Sequence, residues 1–129
     1  MVKLKNKTAY GHSLKGMNDS TYALRRQVID IIREANNKGF NLPRIEVRIV
    51  SGGKESNCGY AYLSKNIVHI NDVYLARDKA FITHLILHEL VHAIVGFRHD
   101  ENCYLMHPYM PKKPSIETSW ERFSHYILG

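Results

Sequence analysis

The segment DKAFITHLILHELVHAIV, residues 78–95, constrains the fold of this 129-residue chain more than any other stretch. Its apolar residues lie nearly all round a helix, which predicts a helix enclosed at the centre of a domain. Titratable side chains within such a helix each need a partner, because burying an unpaired polar or charged group is costly. Four of them lie here: His84, His88, Glu89 and His92.

The spacing of His88 and His92 predicts a metal site. Residues four apart project from one helical face at neighbouring turns, and a tetrahedral zinc ion takes such paired nitrogen donors at about 2.0–2.1 Å. Glu89, the next residue round the helix, could take a proton from a zinc-bound water and pass it to a leaving amine. The alternative, two core histidines satisfied by backbone carbonyls or carboxylates, requires three polar groups to find separate partners in one apolar helix.

A hydrolytic zinc site needs a third protein ligand and one open position for water. Gly96 can end the helix in a left-handed turn, and the chain reversal would bring His99 back toward the two helical histidines. Three other residues compete for this role. His107 could instead be a locally bonded turn residue, and Glu117 and Glu121 could lie on the solvated face of a C-terminal helix.

The stretch HELVHAIVGFRHD followed by YLMHPYM resembles the metzincin metallopeptidases. These enzymes share H-E-x-x-H-x-x-G-x-x-H and a later methionine-containing turn beneath the metal. HELVHAI and GFRHD are similar to the astacin group, and LMHPYM is similar to the matrixins. The resemblance covers residues 88–110 and implies a zincin-like fold with Glu89 as general base and Met106 under the site. The implied zinc ligands are His88, His92 and His99.

The sequence departs from the metzincin pattern by one position. The third histidine follows the second by six positions in the family but by seven here, with Val95 as the extra residue. In a regular helix one added residue rotates all later residues by about 100° and lifts them by about 1.5 Å. Two corrections would return His99 to the metal: a π-bulge between His92 and Gly96, or a helix that ends one residue early.

The same resemblance suggests how a substrate would be held. GYAYLSKNIVHIN would supply an edge strand against which an extended peptide binds by strand addition, with His69 on that strand facing solvent or the cleft. Tyr109 could help to stabilise the oxyanion, as a tyrosine near this turn does in some metzincins. A packing role for Tyr109 is the alternative.

The remaining pattern predicts a single α+β domain over residues 1–129. TYALRRQVIDIIREANNKG reads as an amphipathic helix whose apolar face includes Tyr22 and Ile29. RIEVRIV, GYAYLS and NIVHIN read as strands, and SIETSWERFSHYIL reads as a C-terminal helix. We expect a small zincin-like fold, with a short mixed sheet packed on the N-terminal helix and the central zinc-binding helix.

Composition limits the possible partners. The net charge of +6 is spread along the chain with no basic cluster, so nucleic acid is a possible partner that no motif supports. No apolar run is long enough for a membrane span, and no secretory signal is visible. We expect a cytoplasmic monomer. Cys58 and Cys103 read as reduced bystanders, with Cys103 close enough to the site to serve as an occasional ligand.

These features predict a zinc-dependent peptidase that cleaves an extended peptide or protein segment. One alternative is a gluzincin-like peptidase, in which a glutamate of the C-terminal helix is the third ligand. Another is a non-catalytic zinc-organised binding module, whose fourth ligand would be Cys103, His107 or a carboxylate. Glu89 argues against the binding module, because a purely structural site needs no buried base.

Overall fold

The structure is a computed structural model that describes residues 2–4, 19–50, 59–62, 65–71 and 77–128. These residues form three helices and four strands. In chain order they are β1 (Val2–Leu4), α1 (Asp19–Asn37), β2 (Ile45–Val50), β3 (Gly59–Tyr62), β4 (Ile67–Asn71), α2 (Lys79–Val95) and α3 (Ile116–Leu128). The prediction of a domain that mixes helices with a small sheet is confirmed. Strand β1 is an addition, because three residues are too few for a periodic pattern to reveal.

The sheet has the order β1-β2-β4-β3. Strands β1, β2 and β4 run parallel, and β3 pairs antiparallel with β4. The predicted mixed sheet is therefore confirmed, with β3 at one edge of the described strands. The placement of His69 on an edge strand was wrong, because β4 lies between β2 and β3. His69 is buried, so it does not face solvent.

One face of the sheet packs against the helices. Alternate residues of β2 point into the core, and the parallel register places Val47 beside Val68 of β4. The first helix contributes Leu24, Val28, Ile31, Ile32 and Ala35 to this core. The predicted apolar face of α1 was partly wrong: Tyr22 is 41% exposed. Tyr22 precedes Leu24 by two residues, so its side chain points about 200° round the helix from the buried side chain of Leu24.

Helix α2 is enclosed as predicted, with every residue from 81 to 93 buried. Asp78 caps its start, because the carboxylate accepts a hydrogen bond of 2.9 Å from the Phe81 N–H. Helix α3 packs beside it through Trp120 and Phe123, which form an aromatic cluster with Phe40. Within the described ranges, no helix is both long and apolar enough to cross a membrane.

The turn between β3 and β4 connects the sheet to the end of α2. Asn66 adopts a left-handed conformation (φ 58°), which asparagine tolerates better than most residues. Its N–H donates to the Ala93 carbonyl at 3.0 Å, and its own carbonyl accepts from the Glu46 N–H at 2.8 Å. The last turn of α2, which contains His92, is therefore linked through Asn66 to β2.

Candidate metal centre

Three histidines converge at the C-terminal end of α2. The Nε2 atom of His88 lies 3.1 Å from Nε2 of His92 and 3.2 Å from Nε2 of His99. The three ring centroids are 4.7, 4.9 and 5.1 Å apart, so they form a nearly equilateral triangle. Histidine, cysteine, aspartate and glutamate side chains can all bind metal ions. Among the described residues, these three histidines form the one group of at least three such side chains whose ligand atoms lie close enough together to hold an ion.

Backbone carbonyls orient two of the rings. Nδ1 of His88 donates to the Leu105 carbonyl at 2.7 Å, and Nδ1 of His92 donates to the Phe97 carbonyl. A carbonyl oxygen can only accept, so Nδ1 carries the proton in both rings and Nε2 carries the lone pair. Metal-bound histidines usually donate their second N–H in this way.

The donor set fits a cation. Burial lowers the pKa of His88 to about 3 and also lowers the pKa of His92, so both rings are neutral near pH 7. Their Nε2 lone pairs then face each other at 3.1 Å, and neither can donate to the other. A tetrahedral ion with ligands at about 2.0–2.1 Å separates its donors by about 3.3–3.4 Å. A cation bound between the two Nε2 atoms would replace the repulsion of their lone pairs with attraction, and it would do so at nearly the observed spacing.

The added residue before Gly96 is accommodated by neither of the predicted corrections. Helix α2 continues to Val95 as an α-helix, and Gly96 then turns the chain with φ 80°. The Gly96 N–H is shared between the carbonyls of His92 and Val91, at 3.1 and 3.2 Å. Helix α2 therefore ends at Val95, as the sequence predicts, and the chain reversal occurs after it. Residues 97–99 still bring the His99 ring to the other two.

The segment after His99 folds back on the metal centre. The Asp100 N–H donates to the Met106 carbonyl at 2.9 Å, which closes a loop over residues 100–106. This loop contains Leu105, whose carbonyl orients His88, and Met106, which is fully buried. The methionine-containing turn is thus tied by one hydrogen bond to His88 and by another to Asp100, the residue after His99.

Glu89 is buried beside His88, with 4% of its surface exposed. Within the described part of the chain, its Oε1 atom has no hydrogen-bond partner. Burial raises the pKa of the carboxyl to about 8. An orphaned buried carboxyl oxygen is uncommon and suggests a missing partner, such as a water or an ion.

The competing ligands lie elsewhere. His107 is a locally bonded turn residue, whose Nδ1 accepts from the Tyr109 N–H at 3.1 Å. Glu117 and Glu121 are exposed on α3, and the thiol of Cys103 contacts the Tyr126 hydroxyl. None of these four belongs to the described metal-ligand group. Cys58 lies outside the described residues.

Tyr109 is 76% exposed. It lines an open cavity of about 310 Å³ together with residues of the 100–106 loop and the segment after it. Its ring contacts the His107 ring at a centroid distance of 6.0 Å. The oxyanion role and the packing role of Tyr109 both stay predictions.

Sequence reasoning missed the backbone carbonyls of Leu105 and Phe97. Neither residue type signals an acceptor, because every residue has a carbonyl, and only the fold determines which one meets a ring. His84, in contrast, is the satisfied core histidine that its apolar surroundings predicted. Its Nδ1 lies 3.0 Å from the Ser119 hydroxyl, and it is 1% exposed.

Comparison of the chain with protein-family models, with curated proteins and with solved structures yields no match. The role of the three histidines is therefore inferred from their own geometry and chemistry.

Proposed function

We propose that this protein is a zinc-dependent peptidase of metzincin-like type. The observation that carries the proposal is the convergence of three Nε2 atoms next to a buried glutamate with an orphaned oxygen. The ligands would be His88, His92 and His99. The resemblance of HELVHAIVGFRHD and YLMHPYM to the metzincin motifs supports the same assignment.

Zinc is the metal that this donor set suits best. Neutral imidazoles suit zinc, copper, iron and nickel, and three histidines with one open position are typical of catalytic zinc. When bound, zinc would polarise the scissile carbonyl and lower the pKa of a coordinated water. The exposure of His99 leaves an approach to the centre from solvent.

Glu89 would act as the general base, because a zinc ion held by the three histidines would lower the pKa of the neighbouring carboxyl and favour its carboxylate form. It would take the proton of the attacking water and deliver it to the leaving amine. Its place next to His88 on α2 would hold the carboxylate near the reacting atoms. Tyr109 is a candidate oxyanion donor from the loop side.

The substrate would be an extended peptide segment. Strand β3 lies at the sheet edge and runs antiparallel to β4, and no described strand pairs with its outer side. Such an edge offers backbone donors and acceptors to a peptide that adds as a further strand. Side-chain pockets would then determine which peptides are cleaved.

Peptide cleavage by the zinc-loaded protein and by Glu89→Gln tests the proposal. The amide keeps the shape of the side chain but cannot accept a proton, so we expect the cleavage rate to fall by about 10²- to 10⁴-fold. Zinc content should be the same in both proteins, because Glu89 is not a ligand. A peptide library of mixed sequence, read by mass spectrometry, avoids assuming a cleavage preference.

Equal cleavage by the two proteins would contradict the role of Glu89. Zinc bound to both with cleavage by neither would indicate a non-catalytic zinc-organised module. If Glu117→Ala or Glu121→Ala lost the zinc and His99→Ala kept it, a gluzincin-like site would replace the present assignment.

A further inference from the structure

The two carbonyls that orient the histidine rings belong to different segments. Phe97 follows the end of α2, and Leu105 lies in the 100–106 loop. Neither segment is part of a helix or strand. Neither carbonyl is therefore fixed by a helix or a sheet, and side-chain packing adds to the Asp100–Met106 hydrogen bond in holding these segments.

One side chain of α3 contacts both segments. The ring of Tyr126 packs edge-on against the ring of Phe97, with centroids 4.8 Å apart and planes at 71°. Its hydroxyl contacts the thiol of Cys103. Tyr126 therefore reaches the segment that orients His92 through its ring, and the segment that orients His88 through its hydroxyl.

The thiol of Cys103 is central to the 100–106 loop. Its sulfur accepts a hydrogen bond of 3.4 Å from the Met106 N–H, and the Cys103 N–H donates to the Asp100 carbonyl at 3.0 Å. Leu105 lies in the chain between Cys103 and Met106, and these hydrogen bonds hold both of those residues. The Tyr126 hydroxyl contacts this sulfur. It thus restrains the loop close to the Leu105 carbonyl, which accepts the hydrogen bond from His88.

We propose that Tyr126 is a positioning residue of the metal centre, which holds the carbonyls of Phe97 and Leu105 in place and thereby fixes the rings of His88 and His92. The inference rests on the proposed function, since it takes these histidines as ligands. It goes further in assigning to α3, which supplies no ligand, the task of orienting two of them. Burial, and then the thiol contact, raise the pKa of the Tyr126 phenol, so the hydroxyl keeps its proton at neutral pH.

Zinc affinity, measured by competition with a chelator, tests the inference in Tyr126→Phe. This variant keeps the ring on Phe97 and removes only the contact with Cys103. We expect zinc to bind about 10-fold more weakly, at the low end of the 10- to 100-fold effect typical of outer partners. The value of kcat should fall while KM stays unchanged, because Tyr126 touches no substrate.

Ser124→Ala is the control. The Ser124 hydroxyl also makes one hydrogen bond from α3, to the Glu121 carbonyl at 2.6 Å, and this bond reaches neither of the two segments. We expect its zinc affinity to stay within about twofold of the wild type, since no outer partner of a ligand is lost. Cys103→Ala should weaken zinc binding at least as much as Tyr126→Phe does, because it also removes the acceptor of the Met106 N–H. The double variant should add little to Cys103→Ala, because the two side chains share one contact.

A readout without metal separates this inference from the proposed function. In the metal-free protein, ¹H–¹⁵N spectra of the imidazoles should show His88 and His92 protonated at Nδ1. In Tyr126→Phe, at least His88 should become a mixture of tautomers. Wild-type affinity and an unchanged spectrum in that variant would overturn the inference. Failure of the wild type to bind zinc, with the tautomer change present, would overturn only the proposed function.

Discussion

At the scale of single residues, His84 differs from His88 and His92 on α2, because it does not belong to the group that could hold a metal ion. Burial lowers its pKa to about 4, from an ordinary value of 6.5. The unfolded chain therefore binds one more proton than the folded protein between these two values. The contribution to stability is complete above about pH 6.5 and is lost as the pH falls toward 4.

This difference predicts how acid affects stability. A shift of about 2.5 pKa units corresponds to about 3 kcal/mol at pH 4. His84→Asn keeps a partner for Ser119 but cannot titrate. Between pH 7 and pH 4, the free energy of unfolding of this variant should therefore fall by about 3 kcal/mol less than that of the wild type. Denaturant unfolding in the presence of a chelator measures the free energy of unfolding of the metal-free protein at each pH. Loss of metal at low pH then makes no contribution to the difference. Equal acid sensitivity in both proteins would show that His84 titrates normally in the fold.

Some residue roles can be predicted from the sequence and others cannot. The pairing of His88 with His92, and the position of Glu89, follow from helical spacing alone. The return of His99 follows from the chain reversal expected at Gly96, although the added Val95 departs from the metzincin spacing. The acceptors at Leu105 and Phe97 could not be predicted, since they depend on where two irregular segments cross the helix end.

At the scale of elements, the turn at Gly96 precedes the segment that brings His99 to His88 and His92. Its φ of 80° is a conformation that costs an L-residue roughly 1–2 kcal/mol. Gly96→Ala should therefore lower the free energy of unfolding by about that amount and also weaken zinc binding, because residues 97–99 would leave the helix at a different angle.

Gly39→Ala is the control for this prediction. Gly39 has φ 93°, and an added Cβ would meet no atom within 4 Å, so its cost is conformational alone. We expect a similar loss of stability in urea unfolding with zinc affinity unchanged. If the two variants bound zinc equally well, the turn at Gly96 would not be what positions His99.

The elements themselves were predictable to different degrees. The three helices and the β3–β4 turn at Asn66 follow from local periodicity and turn residues. The pairing order of the strands does not, because parallel partners are distant in the chain and their spacing carries no period. This is why β4 was expected at an edge and lies inside the sheet.

At the scale of the whole molecule, a metal that binds only the folded protein should stabilise it. Free zinc at about 1,000 times its dissociation constant would contribute about 4 kcal/mol. For a domain of this size, that raises Tm by roughly 10–20 °C. Thermal unfolding with zinc and with chelator should differ by this amount in the wild type, but only slightly in His99→Ala, where one of the three ligands is missing. An equal response in both would remove His99 from the ligand set.

The most direct test of a three-histidine zinc centre with one open position is X-ray absorption at the zinc edge of the reconstituted wild-type protein. We predict three imidazole nitrogens and one further light atom, all near 2.0–2.1 Å, with no sulfur at about 2.3 Å. A sulfur neighbour would show that Cys103 or Cys58 closes the fourth position, and the site would then be structural. Failure to take up zinc at all would contradict the assignment of these histidines as its ligands.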